Sequence, residues 1–393
     1  MLNPITITEY HKKHRVVPLF RKVCIVQTRL THYRVKFYEL LREDLSKKGF
    51  ELTLYVGKAT AADRLKRDEG SIHWAIPIHN RSLKLFNTEF LWQPCFNELQ
   101  KCDLVVVNQE NCLLINYLLL LKRKLGGPRV AFWGHGRNLQ SSNPNGIKEI
   151  WKRLWLKKAD WWFAYTELTR RILIKNGYPS DRITVVNNAI DIRELCNLSD
   201  DIQSAELLAL KDYLRIKGNR VGIFCGALYR EKRIEFLIQA AQKIKEELTD
   251  FELIILGAGP DAGIATKAAL DHSWIHYVGP KFGREKVLYM KLGHAFLMPS
   301  LVGLAILDAF ALGLPLFTTD CKLHGPEISY LQDSRNGYMT PNSVESYASA
   351  VIDILRNRPK LDLMKESCKL DAEKYTLEEM VDSFASGLLS CLS

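Results

Sequence analysis

The sequence predicts an α/β protein made of two doubly wound halves, each a parallel sheet covered by helices. Three observations support this fold class. Short apolar, β-branched runs alternate with segments of helical periodicity, which is typical of buried parallel strands joined by crossover helices. A polar, charged stretch at 200–219 interrupts this alternation, which then restarts. Glycines follow several of the apolar runs, at the strand ends where open α/β sheets bind ligands.

The first half alternates strands and helices. The segment "YRVKFYELLREDLSKKG" places Val35, Tyr38, Leu41 and Leu45 at the spacing of an amphipathic helix, and Gly49 ends it. A leucine-rich helix is expected between the third and fourth strands of this half. The strands are predicted at the apolar runs 22–28, 50–57, 103–109, 128–136, 160–166 and 183–191.

The second half repeats the pattern and ends with "MPSLVGLAILDAFALGLPLFTTD". This segment predicts a turn, a helix that carries the single acid Asp308, a break at Gly313 and Pro315, and a strand. We therefore expect Rossmann-like domains at 1–200 and 219–375, and a helix at 376–393 that packs back on the first domain. The other strands are predicted at 220–228, 251–259, 275–279 and 295–300, and the other helices at 233–248 and 284–293.

The charge of the chain favours an anionic partner. The net charge is +11 and the sequence pI is about 9.1, which suits nucleic acid, acidic lipid or a phosphorylated small molecule. Nucleic acid is disfavoured, since no zinc finger, RNP-like strand or GXXG clamp occurs. The absence of a GxxxxGK[ST] motif argues against a P-loop enzyme.

Cysteine usage and apolar runs indicate a cytoplasmic protein. The nine cysteines are scattered singly, without metal-ligand spacing, so we expect free thiols and no metal site. The N-terminus does not resemble a secretory signal. The longest apolar run, Cys112–Leu121, is too short to cross a bilayer, which takes roughly 20 residues.

The segment "GALYREKR", from Gly226 to Arg233, is the best candidate for an anion site. It follows a strand and opens a helix, and it groups Arg230, Lys232 and Arg233. Cations oppose the dipole at a helix N-terminus, so a ligand such as a diphosphate explains them better than a solvated basic turn does.

Two other glycine-bearing turns are weaker candidates. "GAGPDA", beginning at Gly257, fits a dinucleotide fingerprint, but the acid expected about 20 residues later is missing. We interpret it as a tight turn near a phosphate or base. "FWGHGRN" places His135 between glycines that allow close approach of a ligand, with Arg137 and Asn138 adding polar reach.

The segment "NGIKEIWKRLWLKKADWW" leaves two alternatives open. Its apolar residues share one helical face, and lysines and arginines surround that face. Such a helix suits an anionic membrane surface. It suits equally an ordinary helix packed on its own sheet. The apolar face consists of Ile147, Ile150, Trp151, Leu154 and Trp155.

The order of these motifs resembles the retaining nucleotide-sugar glycosyltransferases of the GT-B fold, group 1 (family 4). The C-terminal half carries the specific part of the resemblance, and the N-terminal half a looser part. The matching segments are "FWGHG", "ITVVNNAID", "GALYREKRIEFLIQAA", "FELIILGAGPD", "IHYVGP", "AFLMPS", "VGLAILDAFALGLPLFTTD", "GPEI" and "NGYM". The resemblance implies two Rossmann-like domains that face each other across a cleft.

The resemblance also implies roles for individual residues. Lys232 would bind the donor diphosphate, with Arg230 replacing the family arginine where Ala227 now stands. Asp308 would hold the ribose hydroxyls; the alternative is an acid that complements the helix dipole, worth about 0.3–1 kcal/mol. His135 would line the donor sugar pocket. The expected catalytic residues are His135, Arg230 and Lys232, and the expected donor-binding residues are Gly226, Gly257, Val302, Gly303, Leu304 and Asp308.

One family glutamate, which touches the donor sugar, has no counterpart here, because the turn before the helix is shorter. The amides of Val302, Gly303 and Leu304 are expected to take over part of its role. In the first domain the loop "TRLTHYR" lacks the glycine pair of many relatives. The side chains expected to face the acceptor are Arg29, His32, Tyr33, Arg137 and Asn138.

The implied activity is metal-independent transfer of a sugar, with retention, from a nucleoside diphosphate sugar to a saccharide or lipid-linked hydroxyl. Synthesis of envelope polysaccharide or lipopolysaccharide at the inner membrane face would suit the charge, and no cofactor is expected. Two alternatives stay open. One is a nucleotide-sugar 2-epimerase of the same fold, and the other is a non-catalytic nucleotide-binding relative.

Overall fold

The structure is a computed structural model that describes residues 20–58, 68–85, 88–136 and 147–393. The strands are β1 (Arg21–Gln27), β2 (Phe50–Gly57), β3 (Ile76–Ile78), β4 (Arg81–Leu85), β5 (Thr88–Trp92), β6 (Leu104–Asn108), β7 (Arg129–Gly134), β8 (Trp161–Ala164), β9 (Ile183–Val185), β10 (Arg220–Cys225), β11 (Phe251–Leu256), β12 (Ile275–Gly279), β13 (Ala295–Leu297), β14 (Leu316–Thr319) and β15 (Gly337–Thr340).

The α-helices occupy most of the connections between these strands. They are α1 (His32–Lys47), α2 (Phe96–Leu99), α3 (Leu114–Lys124), α4 (Ile147–Leu156), α5 (Glu167–Lys175), α6 (Ile192–Asp200), α7 (Ser204–Leu214), α8 (Ile234–Glu247), α9 (Ala262–Asp271), α10 (Gly283–Met290), α11 (Ala305–Ala311), α12 (Val344–Arg356), α13 (Arg358–Ala372) and α14 (Leu377–Leu392).

Two parallel sheets organise the fold. The first has the strand order β3-β2-β1-β6-β7-β8-β9 and the second β12-β11-β10-β13-β14-β15. Every pairing within both sheets is parallel, and in both the order reverses at the central strand, as in Rossmann domains. The prediction of two doubly wound halves is confirmed. The antiparallel pair β4–β5 has no counterpart in the prediction.

The first sheet is buried on both faces. Alternate residues of its central strands point to opposite sides, so that Val23 and Ile25 join one core cluster and Cys24 and Val26 the other. The first cluster includes residues of α1 and α14, and the second includes residues of α3, α4 and α5. The continuous apolar runs of the sequence therefore reflect burial on both faces.

The C-terminal helix α14 lies against the N-terminal sheet. Phe384 stacks on Phe163 with ring centroids 4.1 Å apart, and Arg21 Nη1 donates to the carbonyl oxygen of Leu392 at 2.9 Å. A Cβ on Gly387 would lie 2.6 Å from the Phe163 ring, so the helix approaches closely only because this residue is glycine. The last residues of the chain thus tie the second half to the first.

One local expectation differs from the structure. Cys24 and Cys102 form a disulfide, whereas free thiols were expected throughout. Their separation of 78 residues gives no sequence signal, because only the pairing of β1 with β6 brings the two side chains together. The polar stretch at 200–219 contains the helix α7, which begins with a capping box formed by Gln203 and Glu206.

Candidate active site

A cleft of about 470 Å³ lies between the two sheets. One wall comes from the start of α1 and the other from the carboxyl ends of β10, β11 and β12, which is where open α/β sheets bind ligands. The N-terminal side chains on the cleft are His32, Tyr33 and Lys36. The C-terminal wall includes Cys225–Ala227, Leu256–Ala258, Pro280–Gly283, Lys286, Leu304, Ala305 and Asp308.

Two turns of the C-terminal domain pack backbone to backbone at the floor of this cleft. Gly257 has φ +146°, and a Cβ there would lie 1.9 Å from the carbonyl oxygen of Gly226. Only glycine fits such an approach. The Gly257 carbonyl also accepts a hydrogen bond from the Tyr277 hydroxyl at 3.0 Å. The glycines of "GALYREKR" and "GAGPDA" therefore shape one surface together.

Lys232 is a buried cation that does not line the cleft itself but interacts with Cys225, which does. It ends a short 3-10 turn, only 7% of the residue is exposed, and its Nζ donates to the carbonyl oxygen of Leu301. No carboxylate of the described residues forms an ion pair with it. Burial lowers the Lys232 pKa to about 8. A buried ammonium without a counter-charge is costly, and a bound anion would relieve that cost.

Asp308 forms an ion pair within the cleft. Its Oδ1 lies 2.9 Å from Nζ of Lys286, and both side chains are about one-fifth exposed or less. Burial alone would lower the Lys286 pKa, but the neighbouring acidic groups, first among them the Asp308 carboxylate, together outweigh burial and the pKa is raised. Asp308 lines the cleft together with Gly257 and Leu304.

The segment before α11 presents only part of the backbone that was expected to bind the donor. The Val302 amide donates to Nδ1 of His324 at 3.2 Å, and its side chain is fully buried. This amide is therefore already used inside the protein, contrary to the expectation for Val302. Gly303 has open space beside its Cα, and Leu304 lines the cleft.

The N-terminal wall is organised around Asp68. Both oxygens of this carboxylate accept from the Arg29 guanidinium, at 2.6 and 3.1 Å. The Asp68 carbonyl accepts from the His32 amide at 2.8 Å. His32 and Tyr33 pack edge to face on the cleft, with centroids 5.8 Å apart. Arg29 is therefore engaged by a carboxylate, while His32 and Tyr33 face the cavity.

Two of the other expected residues, His135 and Arg230, do not line the cleft. His135 follows β7, is exposed, and packs edge-on against Tyr165 at 4.6 Å. Arg230 is exposed and is not among the residues that line the cleft. Arg137 and Asn138 lie outside the described residues. The roles assigned to these four residues stay predictions.

A buried polar network joins the two halves beside the cleft. Arg34 of α1 donates to the side-chain oxygen of Asn188, whose amide donates to the Glu327 carboxylate. The Tyr330 hydroxyl donates to the Asn188 carbonyl at 3.0 Å. Burial raises the Glu327 pKa, although the Asn188 amide opposes this. The motif "GPEI" is thus part of the domain contact.

Sequence analysis did not identify several cleft residues. Lys286 lies on α10, where a lysine of an amphipathic helix has no distinctive signal. Lys36 and Glu194 line the cleft from α1 and α6, and only the packing of the two halves brings them there. The described part of the chain contains no group of three side chains suited to hold a metal ion. It also has no helix of the length and hydropathy needed to cross a membrane.

Comparison with known proteins links both halves to sugar transfer. Residues 36–194 match the family described as Glycosyltransferase Family 4, and residues 219–357 match the family described as Glycosyl transferases group 1. The alpha-monoglucosyldiacylglycerol synthase of Acholeplasma laidlawii is 24% identical over 86% of this chain and 88% of its own length.

Two further proteins extend the comparison. One is the GtfA subunit of a UDP-N-acetylglucosamine–peptide N-acetylglucosaminyltransferase from Streptococcus pneumoniae. It is 23% identical to this chain over an alignment that covers 73% of this chain and 56% of the GtfA subunit. A crystal structure of Anabaena HepE in complex with UDP-glucose superposes with a TM-score of 0.67 at 14% identity, covering 94% of this chain and 99% of that one. This likeness confirms the predicted GT-B fold. Glycosyltransferase family models match both halves and together span most of the chain, so the chain is a GT-B glycosyltransferase.

Proposed function

We propose that this glycosyltransferase transfers a sugar from a UDP-sugar, with retention at the anomeric carbon, to a hydroxyl of a saccharide or lipid-linked acceptor. The single observation that carries the proposal is Lys232, a buried cation with no carboxylate partner among the described residues, in the 3-10 turn that follows the Gly226 turn. The choice of UDP is supported by the UDP-glucose bound to HepE and by the UDP-N-acetylglucosamine in the name of the GtfA enzyme.

The donor would lie on the C-terminal wall of the cleft. Its diphosphate would approach the Gly226–Gly257 surface and be countered by Lys232. Its ribose hydroxyls would donate to Asp308, with Lys286 contributing a second positive charge nearby. The negative charge of the leaving diphosphate grows as the anomeric bond breaks, so fixed cations stabilise the transition state more than the ground state. In this role the lysines would make catalysis independent of a metal ion.

The acceptor would enter from the N-terminal wall, past His32, Tyr33 and Lys36. In the retaining reaction its hydroxyl attacks the anomeric carbon from the face that the diphosphate leaves, and the departing phosphate oxygen takes the proton. No carboxylate pair is needed, in contrast to a retaining hydrolase. We propose 1–200 as the acceptor domain and 219–375 as the donor domain, with cleft closure completing the site.

The lipid-linked or envelope character of the acceptor rests on the positive charge of the chain and on the lipid product in the name of the Acholeplasma relative. A saccharide of a polysaccharide or lipopolysaccharide pathway, reached at the cytoplasmic face of the plasma membrane, has the same chemistry. Anomeric retention also agrees with the alpha product in that name.

Donor binding is tested first, by the change in melting temperature with UDP-, GDP- and ADP-sugars. A ligand at about 100 times its Kd stabilises a protein by about 2.7 kcal/mol, which gives an easily measured shift. The donor that binds is then incubated with diacylglycerol and with oligosaccharides, and products are analysed by mass spectrometry and NMR. An alpha-linked product from an alpha-linked donor supports the proposal, whereas a beta-linked product contradicts retention.

The same experiment separates the two alternatives, neither of which the comparisons favour. A 2-epimerase would convert the donor sugar with no acceptor present. A non-catalytic relative would show the shift in melting temperature with a nucleotide but no turnover with any acceptor. If none of the donors binds, the assignment of the cleft is wrong.

A further inference from the structure

A second cavity lies on the N-terminal domain, away from the cleft. It has a volume of about 620 Å³ and runs between α3 and α4, which cover one face of the first sheet. The floor of this groove includes the buried residue Leu120, and its sides include Leu121, Trp151 and Leu154. The proposed sugar transfer makes no use of it.

The apolar side chains of this groove are unusually exposed for residues of their size. Leu121 is 50% exposed, Trp151 46% and Leu154 61%. Leu118 and Leu125, also on or next to α3, add to the same surface, with Leu125 79% exposed. A contiguous patch of this kind marks an interaction site, in contrast to single exposed leucines.

The two helices are held together firmly enough to present this patch as one surface. The Trp151 indole Nε1–H donates to the Tyr117 hydroxyl at 2.9 Å, and that hydroxyl donates to the Asn111 carbonyl at 2.9 Å. Trp155 packs edge-on against Tyr117, with ring centroids 4.8 Å apart. The aromatic cluster therefore holds Trp151 in place. Its indole N–H is hydrogen-bonded to Tyr117, and nearly half of the residue remains exposed to solvent.

Cations surround the apolar groove. Lys124, Arg153, Lys157 and Lys158 line it and are exposed. The described lining residues include no carboxylate, and none of these four cations has an ion-pair partner among the described residues. An apolar centre with an unneutralised basic border matches an interface of lipid acyl chains and anionic headgroups. A protein partner would need to supply acidic residues around an apolar anchor.

We propose that the groove between α3 and α4 is a docking surface for an anionic phospholipid membrane. Leu121, Trp151 and Leu154 would enter the headgroup region, while the four cations contact lipid phosphates. The structure describes the backbone of 147–150 and of Lys152 on the same helix but not their side chains. The inference is independent of the donor, since none of these residues lines the cleft.

The test measures sedimentation of the full-length protein with vesicles of phosphatidylcholine alone or with 30% phosphatidylglycerol. The variant Leu154→Ser/Lys158→Gln removes one exposed apolar side chain and one cation. The matched control, Lys267→Gln/Leu270→Ser, makes the same two changes on α9, where Leu270 is 83% exposed. One lysine near an anionic surface changes partitioning about fivefold, so the groove variant should bind at least about fivefold less.

The expected result is binding to the anionic vesicles only, weakened in the groove variant and unchanged in the control. The donor-induced rise in melting temperature should be the same in all three proteins, which shows that the variants fold and keeps this test separate from that of the proposed function. Failure of the wild type to bind anionic vesicles, or equal loss in both variants, overturns the proposal. Concentration-dependent dimerisation that Leu154→Ser/Lys158→Gln abolishes, without vesicle binding, would assign the groove to a second copy of the chain instead.

Discussion

Replacement of Lys232 by methionine should change stability and donor binding in different ways, because this lysine is buried in the free protein. Its pKa is about 8, against an ordinary value near 10.5. Since one pKa unit is worth about 1.4 kcal/mol, the buried charged lysine destabilises the folded state by about 3 kcal/mol. Below pH 8 both folded and unfolded chains carry the charge, and the folded chain bears this full cost. Between pH 8 and 10.5 only the unfolded lysine stays protonated, so the wild type gains stability as pH rises.

The variant Lys232→Met lacks this titration. The difference in unfolding free energy between variant and wild type should therefore fall by about 2.5 kcal/mol between pH 7 and pH 10, measured by urea denaturation. This change with pH does not depend on the cost of leaving the Leu301 carbonyl without its donor. Other titrating groups cancel, because they are common to both proteins.

Donor binding supplies the second measurement. A hydrogen bond to a charged group is worth about 1.5–3 kcal/mol, so the Kd of Lys232→Met for the donor should rise roughly 10- to 150-fold. Wild-type affinity should also fall as pH rises through 8, where the amine loses its charge.

Lys245→Met is the control for this experiment, since Lys245 Nζ also donates to a carbonyl, that of Phe251 at 2.8 Å, but lies away from the cleft. It should leave donor affinity unchanged. The reasoning would be refuted if the difference in unfolding free energy between Lys232→Met and the wild type stayed constant from pH 7 to 10 and the donor affinity of the variant were unchanged.

Three further changes test other parts of the site. Asp308→Asn removes the charge that pairs with Lys286 and that we propose accepts the ribose hydroxyls, and should weaken UDP binding by roughly 10- to 150-fold in calorimetry; an unchanged Kd would remove Asp308 from the site. Gly257→Ala forces a Cβ against the Gly226 carbonyl and should cost on the order of 2 kcal/mol or more in urea denaturation, whereas Gly263→Ala, with open space around its Cα, should not. Glu327→Gln should stabilise the protein more at pH 7 than at pH 4. Burial raises the Glu327 pKa, so the wild-type folded state loses stability as the pH rises above the ordinary glutamate pKa near 4.5, and glutamine has no such titration. Equal changes in unfolding free energy at both pH values would contradict this.

Local sequence patterns predicted most of the fold. Most strands of the two sheets, the break at Gly313 and the placement of Asp308 at the start of a helix follow from apolar runs, periodicity and turn residues, which act over a few neighbours along the chain. The edge strands β3 and β15 were not predicted. The glycine-bearing turns were located correctly at strand ends for the same reason, and those at Gly226 and Gly257 lie on the C-terminal wall of the cleft.

Contacts between distant segments were not predictable in this way. The Cys24–Cys102 disulfide joins neighbouring strands 78 residues apart, and the Arg34–Asn188–Glu327 network joins two domains. Val302 was assigned to the donor although its amide is bound to His324, because a helix start shows which amides are free of intrahelical partners but not which tertiary acceptors lie nearby.

The sequence by itself thus determined the fold class, the order of the elements and the residues that carry the family motifs, because local propensity and burial pattern are encoded in adjacent residues. Only the tertiary structure decided which charges meet. It paired Asp308 with Lys286, left Lys232 buried with no carboxylate partner in the described part of the chain, and set around the exposed groove between α3 and α4 four cations that have no ion-pair partner there. Electrostatic energy depends on distance through space and on burial, and neither quantity can be obtained from separation along the chain.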